Sequence, residues 1–159
     1  MVSMLEESHV QIHVHADDWE DAIRKAGNVL VTAGSIDTSY IEHMIQSVKT
    51  LGPYIVIMPG FALAHAAPCE AVKKSDIALI TLDHPIDFGS ENGPVSVILC
   101  LACTDSSSHL DRLSQIAELL MQEHKIEQIA SAQTPDDVVR LFQTAYCSGI
   151  AFCLLHTAL

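Results

Sequence analysis

The sequence predicts one α/β domain, a mixed β-sheet of about five strands flanked by helices on both faces. Three observations predict it. The chain has 159 residues, the size of one ordinary domain and too short for two. Its apolar residues switch period along the chain, from helical spacing to short unbroken runs bounded by Pro, Gly, Asp and Asn. Strand-like and helix-like stretches alternate with no linker, repeat or low-complexity segment between them.

The elements follow in order. His9-Val10-Gln11-Ile12-His13-Val14-His15 alternates apolar and polar side chains, the period of a half-buried strand. Asp17 and Glu20 have the D-x-x-E spacing of a capping box ahead of a helix that runs to Val31, with Gly34 as its stop. Ile41, Met44, Ile45 and Val48 mark a second helix that ends at Gly52-Pro53. Tyr54 to Ile57 is a short apolar run ahead of the breakers Pro59 and Gly60. Ile77 to Leu82 and Val95 to Ala102 read as buried strands, and Asp87 to Gly93 as the loop between them. Leu110, Leu113, Ile116, Ala117, Leu120 and Met121 share one face of a helix capped by Ser107 or Ser108. A short helix covers Lys125 to Ala130. Thr134 then caps a last helix with Pro135 at its first position, running through Phe142. The domain is placed at residues 1–143. Residues 144–159 carry no charged side chain and are too short to span a membrane. Packing on the body, an oligomer contact and an addition foreign to the domain all stay open for this tail.

Charge and composition exclude several functions. Eight Lys and Arg against twenty Asp and Glu give a net charge of -12. That argues against nucleic acid, whose binding draws on clustered basic side chains, and against anionic lipid. A partner with a basic or apolar face fits better. Mean hydropathy is +0.28, yet no run reaches the roughly 18 to 20 apolar residues of a spanning helix. The acidic start MVSMLEESHV lacks the pattern of a signal peptide. Cys69, Cys100, Cys103, Cys147 and Cys153 have no secreted-domain spacing, so a reduced, cytoplasmic location is expected.

Histidine is the residue type that stands out. His65 sits among small residues in Gly60-Phe61-Ala62-Leu63-Ala64-His65-Ala66-Ala67-Pro68, where the Pro59-Gly60 break puts it at the end of an extended segment. An accessible neutral imidazole there can act as nucleophile, base or ligand; a loop histidine with no task is the plainer alternative. His109 is its natural partner. It lies in the first turn of a helix after the strand Val95 to Ala102, where the carboxyl end of a strand and a helix amino terminus suit an anionic group. His9, His13 and His15 form H-x3-H-x-H, which could hold a metal or simply line a solvated strand. Cys100 and Cys103 close an apolar strand and read as core packing, without the second pair a zinc site needs. Cys69, four residues after His65, is a weaker candidate for a Cys–His pair. No G-x-x-x-x-G-K-[ST], G-x-G-x-x-G or G-x-S-x-G motif is present, so no nucleotide or other cofactor is expected, and no metal is assigned to the leading site.

The stretch from Gly52 to His65, GPYIVIMPGFALAH, resembles the active-site segment of enzyme IIA components of the bacterial sugar phosphotransferase system. The likeness is to the mannitol/fructose type, and most of all to its ascorbate-specific branch. Pro85-Ile86-Asp87-Phe88-Gly89, His109-Leu110 and Asp18-Trp19-Glu20-Asp21-Ala22-Ile23 carry further resemblance, over roughly residues 10 to 142. The resemblance implies that His65 accepts phosphoryl from the phosphocarrier protein HPr and donates it to a cysteine of enzyme IIB. It implies that His109 hydrogen-bonds the phosphoryl group. The membrane component, enzyme IIC, would be served indirectly, the cargo being ascorbate or a related sugar, and a homodimer is admitted as well. A regulatory module of the same family, switched by phosphorylation of His65, is the alternative. The family has proline before the active histidine where this chain has Ala64, which loosens the backbone restraint. The mannitol branch also has an arginine in its second helix, where the nearest basic residue here is Lys49. Small apolar neighbours (Phe61, Ala62, Leu63, Ala66, Ala67) would let a partner seal the site. A His65 pKa near the ordinary 6.5 would suit both transfers.

Overall fold

The computed structural model describes residues 5–142. A 3-10 turn (Glu7–His9) leads into β1 (Val10–Val14), α1 (Trp19–Thr32), α2 (Thr38–Leu51), β2 (Gly60–Ala64), β3 (Asp76–Ile86), β4 (Val95–Ala102), α3 (Ser106–Leu120) and α4 (Lys125–Ala130). Residues 135–142 are again helical. The 144–159 tail and the boundary before it lie outside the described residues.

The sheet is mixed, as expected, but among the described residues has four strands rather than about five, in the order β1-β3-β4-β2. β1 runs parallel to β3 and β2 parallel to β4, while β3 and β4 are antiparallel. The apolar run Tyr54 to Ile57 supplies no strand. It lies between two prolines and closes a turn in which Val56 N–H donates to Pro53 O at 3.1 Å.

Both faces of the sheet are covered, which is why β3 and β4 read as unbroken apolar runs instead of alternating ones. Ala62, Ala64, Ala78, Ile80, Ile98 and Cys100 point into a core shared with α1 and α2. Their neighbours Phe61, Leu63, Ile77, Leu79, Val97 and Leu99 point into a second core, shared with α3, α4 and residues 135–142. Each fully buried Leu, Ile or Val contributes about 1.5–3 kcal/mol of transfer free energy. Cys100 and Cys103 fall in different cores, so they pack on opposite faces and form no redox or ligand pair.

Local chemistry sets the helix ends, with small shifts from the expected ones. The cap of α1 is Asp18, whose Oδ1 accepts the Asp21 N–H at 2.8 Å, while Asp21 Oδ2 accepts the Asp17 N–H at 3.0 Å. The reciprocal box therefore sits one residue later than Asp17/Glu20. α1 continues to Thr32 before Gly34 turns the chain with a φ of 78°. α3 begins at Ser106, so Ser107 and Ser108 lie inside its first turn instead of capping it. Thr134 Oγ1 accepts the Asp137 N–H at 3.2 Å and Asp137 Oδ2 accepts the Gln133 N–H at 3.3 Å, capping the last helix as Thr134-Pro135 foretells. Gly27 lets α1 and α2 touch: a Cβ there would lie 2.6 Å from Ile41 Cγ1.

β1 departs from simple alternation. Its pairing with β3 shifts between Gln11 and Val14, where His13 has a φ of 53° and donates its N–H to Thr81 Oγ1 at 2.9 Å. Such a bulge re-aims the side chains that follow it.

Candidate active site

β2 and β4 are neighbours and parallel, with Ala64 opposite Cys100, so their carboxyl ends open at the same end of the sheet. His65 follows β2 directly, at the end of an extended segment as the Pro59-Gly60 break predicts. His109, in the first turn of α3, follows β4 after a short loop. The topology thus brings together two histidines 44 residues apart, with ring centroids 5.5 Å apart and planes inclined by 47°.

His65 is held on three sides. Its Nδ1–H donates to Leu63 O at 2.7 Å. A carbonyl oxygen only accepts, so this contact puts the proton of the neutral ring on Nδ1 and leaves the Nε2 lone pair free. Tyr54 packs edge-on against the ring at 5.5 Å and 86°, and its hydroxyl donates to His65 O at 3.2 Å. Behind the loop, the buried Tyr40 hydroxyl accepts the Ala66 N–H at 3.0 Å and donates to Leu101 O at 2.8 Å, tying the residue after His65 to β4. Ala64 is fully buried as the last residue of β2. Strand pairing and Tyr40 therefore supply restraint that a proline would otherwise give.

Both imidazoles are half-buried instead of exposed. Burial lowers the pKa of His65 below its ordinary value, the Leu63 carbonyl partly opposes this, and the neighbouring His109 lowers it further. Burial lowers His109 as well. The expected value near 6.5 is thus displaced downward for both, and both stay neutral at pH 7. His109 Nδ1 is buried with no hydrogen-bond partner among the described residues, a state that costs about 1–3 kcal/mol.

Several neighbours stand otherwise than expected. Phe61, Ala62, Leu63 and Ala66 are core residues, so of that group only Ala67 is exposed. The apolar surface beside the pair comes instead from Tyr54, which touches His65, and from Leu110, which follows His109 and is 65% exposed. Periodicity put Leu110 on the buried face, but that face of α3 starts in earnest at Leu113 and Ile116. Lys49 is engaged by Glu20 of α1 at 3.1 Å. Cys69 faces His43 of α2, Sγ to Nδ1 3.5 Å, and not His65. Of the amino-terminal histidines, His9 is buried with Nδ1 3.2 Å from Ile77 O and 3.3 Å from Asp76 Oδ1. His15 is exposed and lies against Asp83, Asp17 and His84. The H-x3-H-x-H set does not converge. Tyr40 and Tyr54 are missed by sequence reasoning, because only the folded pairing shows what their hydroxyls hold.

The arrangement is that of one open imidazole nitrogen with a second imidazole beside it; known proteins share the fold. Residues 3–145 match the family described as "Phosphoenolpyruvate-dependent sugar phosphotransferase system, EIIA 2". An ascorbate-specific PTS system EIIA component of Shigella boydii is 31% identical over 141 residues, covering 87% of this chain and 92% of that protein. The crystal structure of a putative PTS IIA (PtxA) from Streptococcus mutans superposes with a TM-score of 0.83 at 30% identity, over 90% of this chain and 92% of that one. Escherichia coli IIA mannitol, solved in complex with phosphorylated IIB mannitol, shares the fold at a TM-score of 0.78 and 21% identity, over 88% and 99% of the two chains. Among the described residues no helix is long and apolar enough to cross a membrane. A match from residue 3 to residue 145, with relatives aligned over most of both chains, places this protein in the EIIA type 2 family of the sugar phosphotransferase system, whose members are phosphotransferases that carry a phosphohistidine.

Proposed function

We propose that this chain is a cytoplasmic phosphocarrier that takes phosphoryl from phospho-HPr on His65 Nε2 and hands it to a cysteine of enzyme IIB. The observation that carries this reading is the Nδ1–H to Leu63 O hydrogen bond, which presents Nε2 as a lone pair beside His109. In the first step Nε2 attacks phosphorus as the N–P bond of phospho-HPr breaks. The His65 ring gains positive charge, and the Leu63 carbonyl, already accepting its Nδ1–H, stabilises that charge. In the second step the cysteine thiolate of enzyme IIB attacks phosphorus and His65 leaves as a neutral imidazole. No proton has to move on His65 in either direction.

His109 is assigned to the phosphoryl oxygens, where a donor acts on charge that spreads over them during transfer. Its ring, 5.5 Å from that of His65, supports this, since it is near enough to donate to oxygens carried on His65. Tyr54 and Leu110 offer an apolar rim that a docked partner would cover, keeping water from the phosphohistidine. The names of the relatives favour ascorbate or a related sugar acid as the cargo of the system, which this chain need never touch.

Incubation with phosphoenolpyruvate, enzyme I and HPr tests the proposal. Acid-labile phosphate on the chain, lost in His65→Ala and discharged by an ascorbate-type enzyme IIB, is expected. An unlabelled wild-type chain would sink the carrier role. Labelling that no enzyme IIB discharges would point to a regulatory module instead.

A further inference from the structure

The bulge in β1 assembles a second cluster of imidazoles and carboxylates away from His65. Val14 pairs with Leu82, which sets His15, just after β1, beside Asp83 in the last part of β3. His15 Nδ1 lies 3.0 Å from Asp83 Oδ2, and His84 Nδ1 lies 2.5 Å from Asp83 Oδ1. The two rings are 5.3 Å apart. One ligand atom from each of His15, Asp83 and His84 falls within 4.8 Å of the other two. β1 lies at the sheet edge opposite β2 and runs in the opposite direction, so the cluster sits at the far end and far edge from His65.

We infer that His15, Asp83 and His84 bind one divalent transition cation of the zinc type, with Asp17 fixing the His15 ring. The donor set argues for the class. Two imidazole nitrogens and a carboxylate suit Zn²⁺ with water in the fourth position, and suit Ca²⁺ or Mg²⁺ poorly, since those take oxygen ligands. Tetrahedral donors about 2.0–2.1 Å from zinc lie roughly 3.3 Å apart, which these exposed side chains reach by small rotations. Asp17 Oδ1 stands 3.1 Å from His15 Nε2. It holds the Nε2–H and turns Nδ1 toward Asp83, the carboxylate–histidine–metal arrangement that orients a ligand ring. The net charge of -12 favours a cation in addition.

Binding is balanced by protons. The two ligating imidazole nitrogens hold a cation only as free lone pairs. Any proton carried by either nitrogen leaves to solvent as the cation takes its place. Affinity therefore falls as pH falls.

Calorimetric titration of the chelator-treated full chain with ZnCl₂ is the test. One Zn²⁺ per chain is expected, weakened at least about tenfold by His15→Gln, His84→Gln or Asp83→Asn. His65→Ala and His124→Gln should bind as the wild type does, and the ring protons of His15 and His84 should shift together in NMR. His84→Gln should retain its far-UV circular dichroism and its phosphoryl acceptance, separating lost ligation from lost folding. Absent binding, undiminished binding by His84→Gln, or binding lost in His65→Ala would each overturn the site.

Discussion

Tyr40→Phe tests what positions the acceptor loop. The wild-type hydroxyl is fully buried, accepts the Ala66 N–H at 3.0 Å and donates to Leu101 O at 2.8 Å. Phenylalanine keeps the ring and its packing but leaves the Ala66 N–H without that acceptor. An orphaned buried donor costs about 1–3 kcal/mol. For a domain of this size, each kcal/mol is worth about 2–4 °C in Tm. The expected fall, by calorimetry, is therefore roughly 2–12 °C. Because Ala66 adjoins His65, phosphoryl acceptance should slow by about tenfold as well, displaced reacting groups losing rate steeply. A Tm within about 1 °C of wild type would refute the energetic reasoning. A lowered Tm with an unchanged rate would show that Tyr40 holds the fold and not the acceptor.

Three further outcomes are expected. In NMR titration, His65 and His109 should have midpoints below the ordinary 6.5, because burial lowers both. The unfolded chain then takes these protons first, so the stability they contribute should be present above about pH 6.5 and be lost as pH falls toward the folded values; midpoints above 6.5 would reverse the assignment. His109→Gln should still be labelled through HPr yet discharge to enzyme IIB about 10²-fold more slowly, and unchanged discharge would leave His109 no part in transfer. Leu110→Asp, at a position 65% exposed, should change stability by less than about 0.5 kcal/mol while raising the KM for phospho-HPr or enzyme IIB; a kcat effect alone would remove Leu110 from the docking rim.

What the sequence makes legible is local, and what it hides depends on pairing across the sheet. The Pro59-Gly60 break places His65 after an extended segment without any tertiary information, and Thr134-Pro135 announces a helix start in the same way. The pairing of His65 with His109 follows from parallel β2 and β4, which neighbouring sequence does not encode. Alternation in β1 predicts His13 and His15 on one side, yet a single positive φ at His13 breaks that phase. Asp83 meets His15 across 68 residues and brings His84 with it, beyond any local pattern. Phe61 and Leu63 read as a rim because small and apolar residues surround His65, but alternation along β2 sends them into the core. Tyr54 to Ile57 has the composition of a strand and not the length between prolines to make one.

The bond between His65 Nδ1 and Leu63 O also shapes the kinetics of the proposed carrier. With one ring nitrogen committed to the backbone, only a single berth for phosphorus remains, and donor and acceptor must use it in turn. Steady-state traffic should then follow double-displacement kinetics, with parallel double-reciprocal lines and no ternary complex. An excess of unphosphorylated HPr would slow export to enzyme IIB by covering that berth, so the ratio of the two partners, and not either affinity alone, would set the flux.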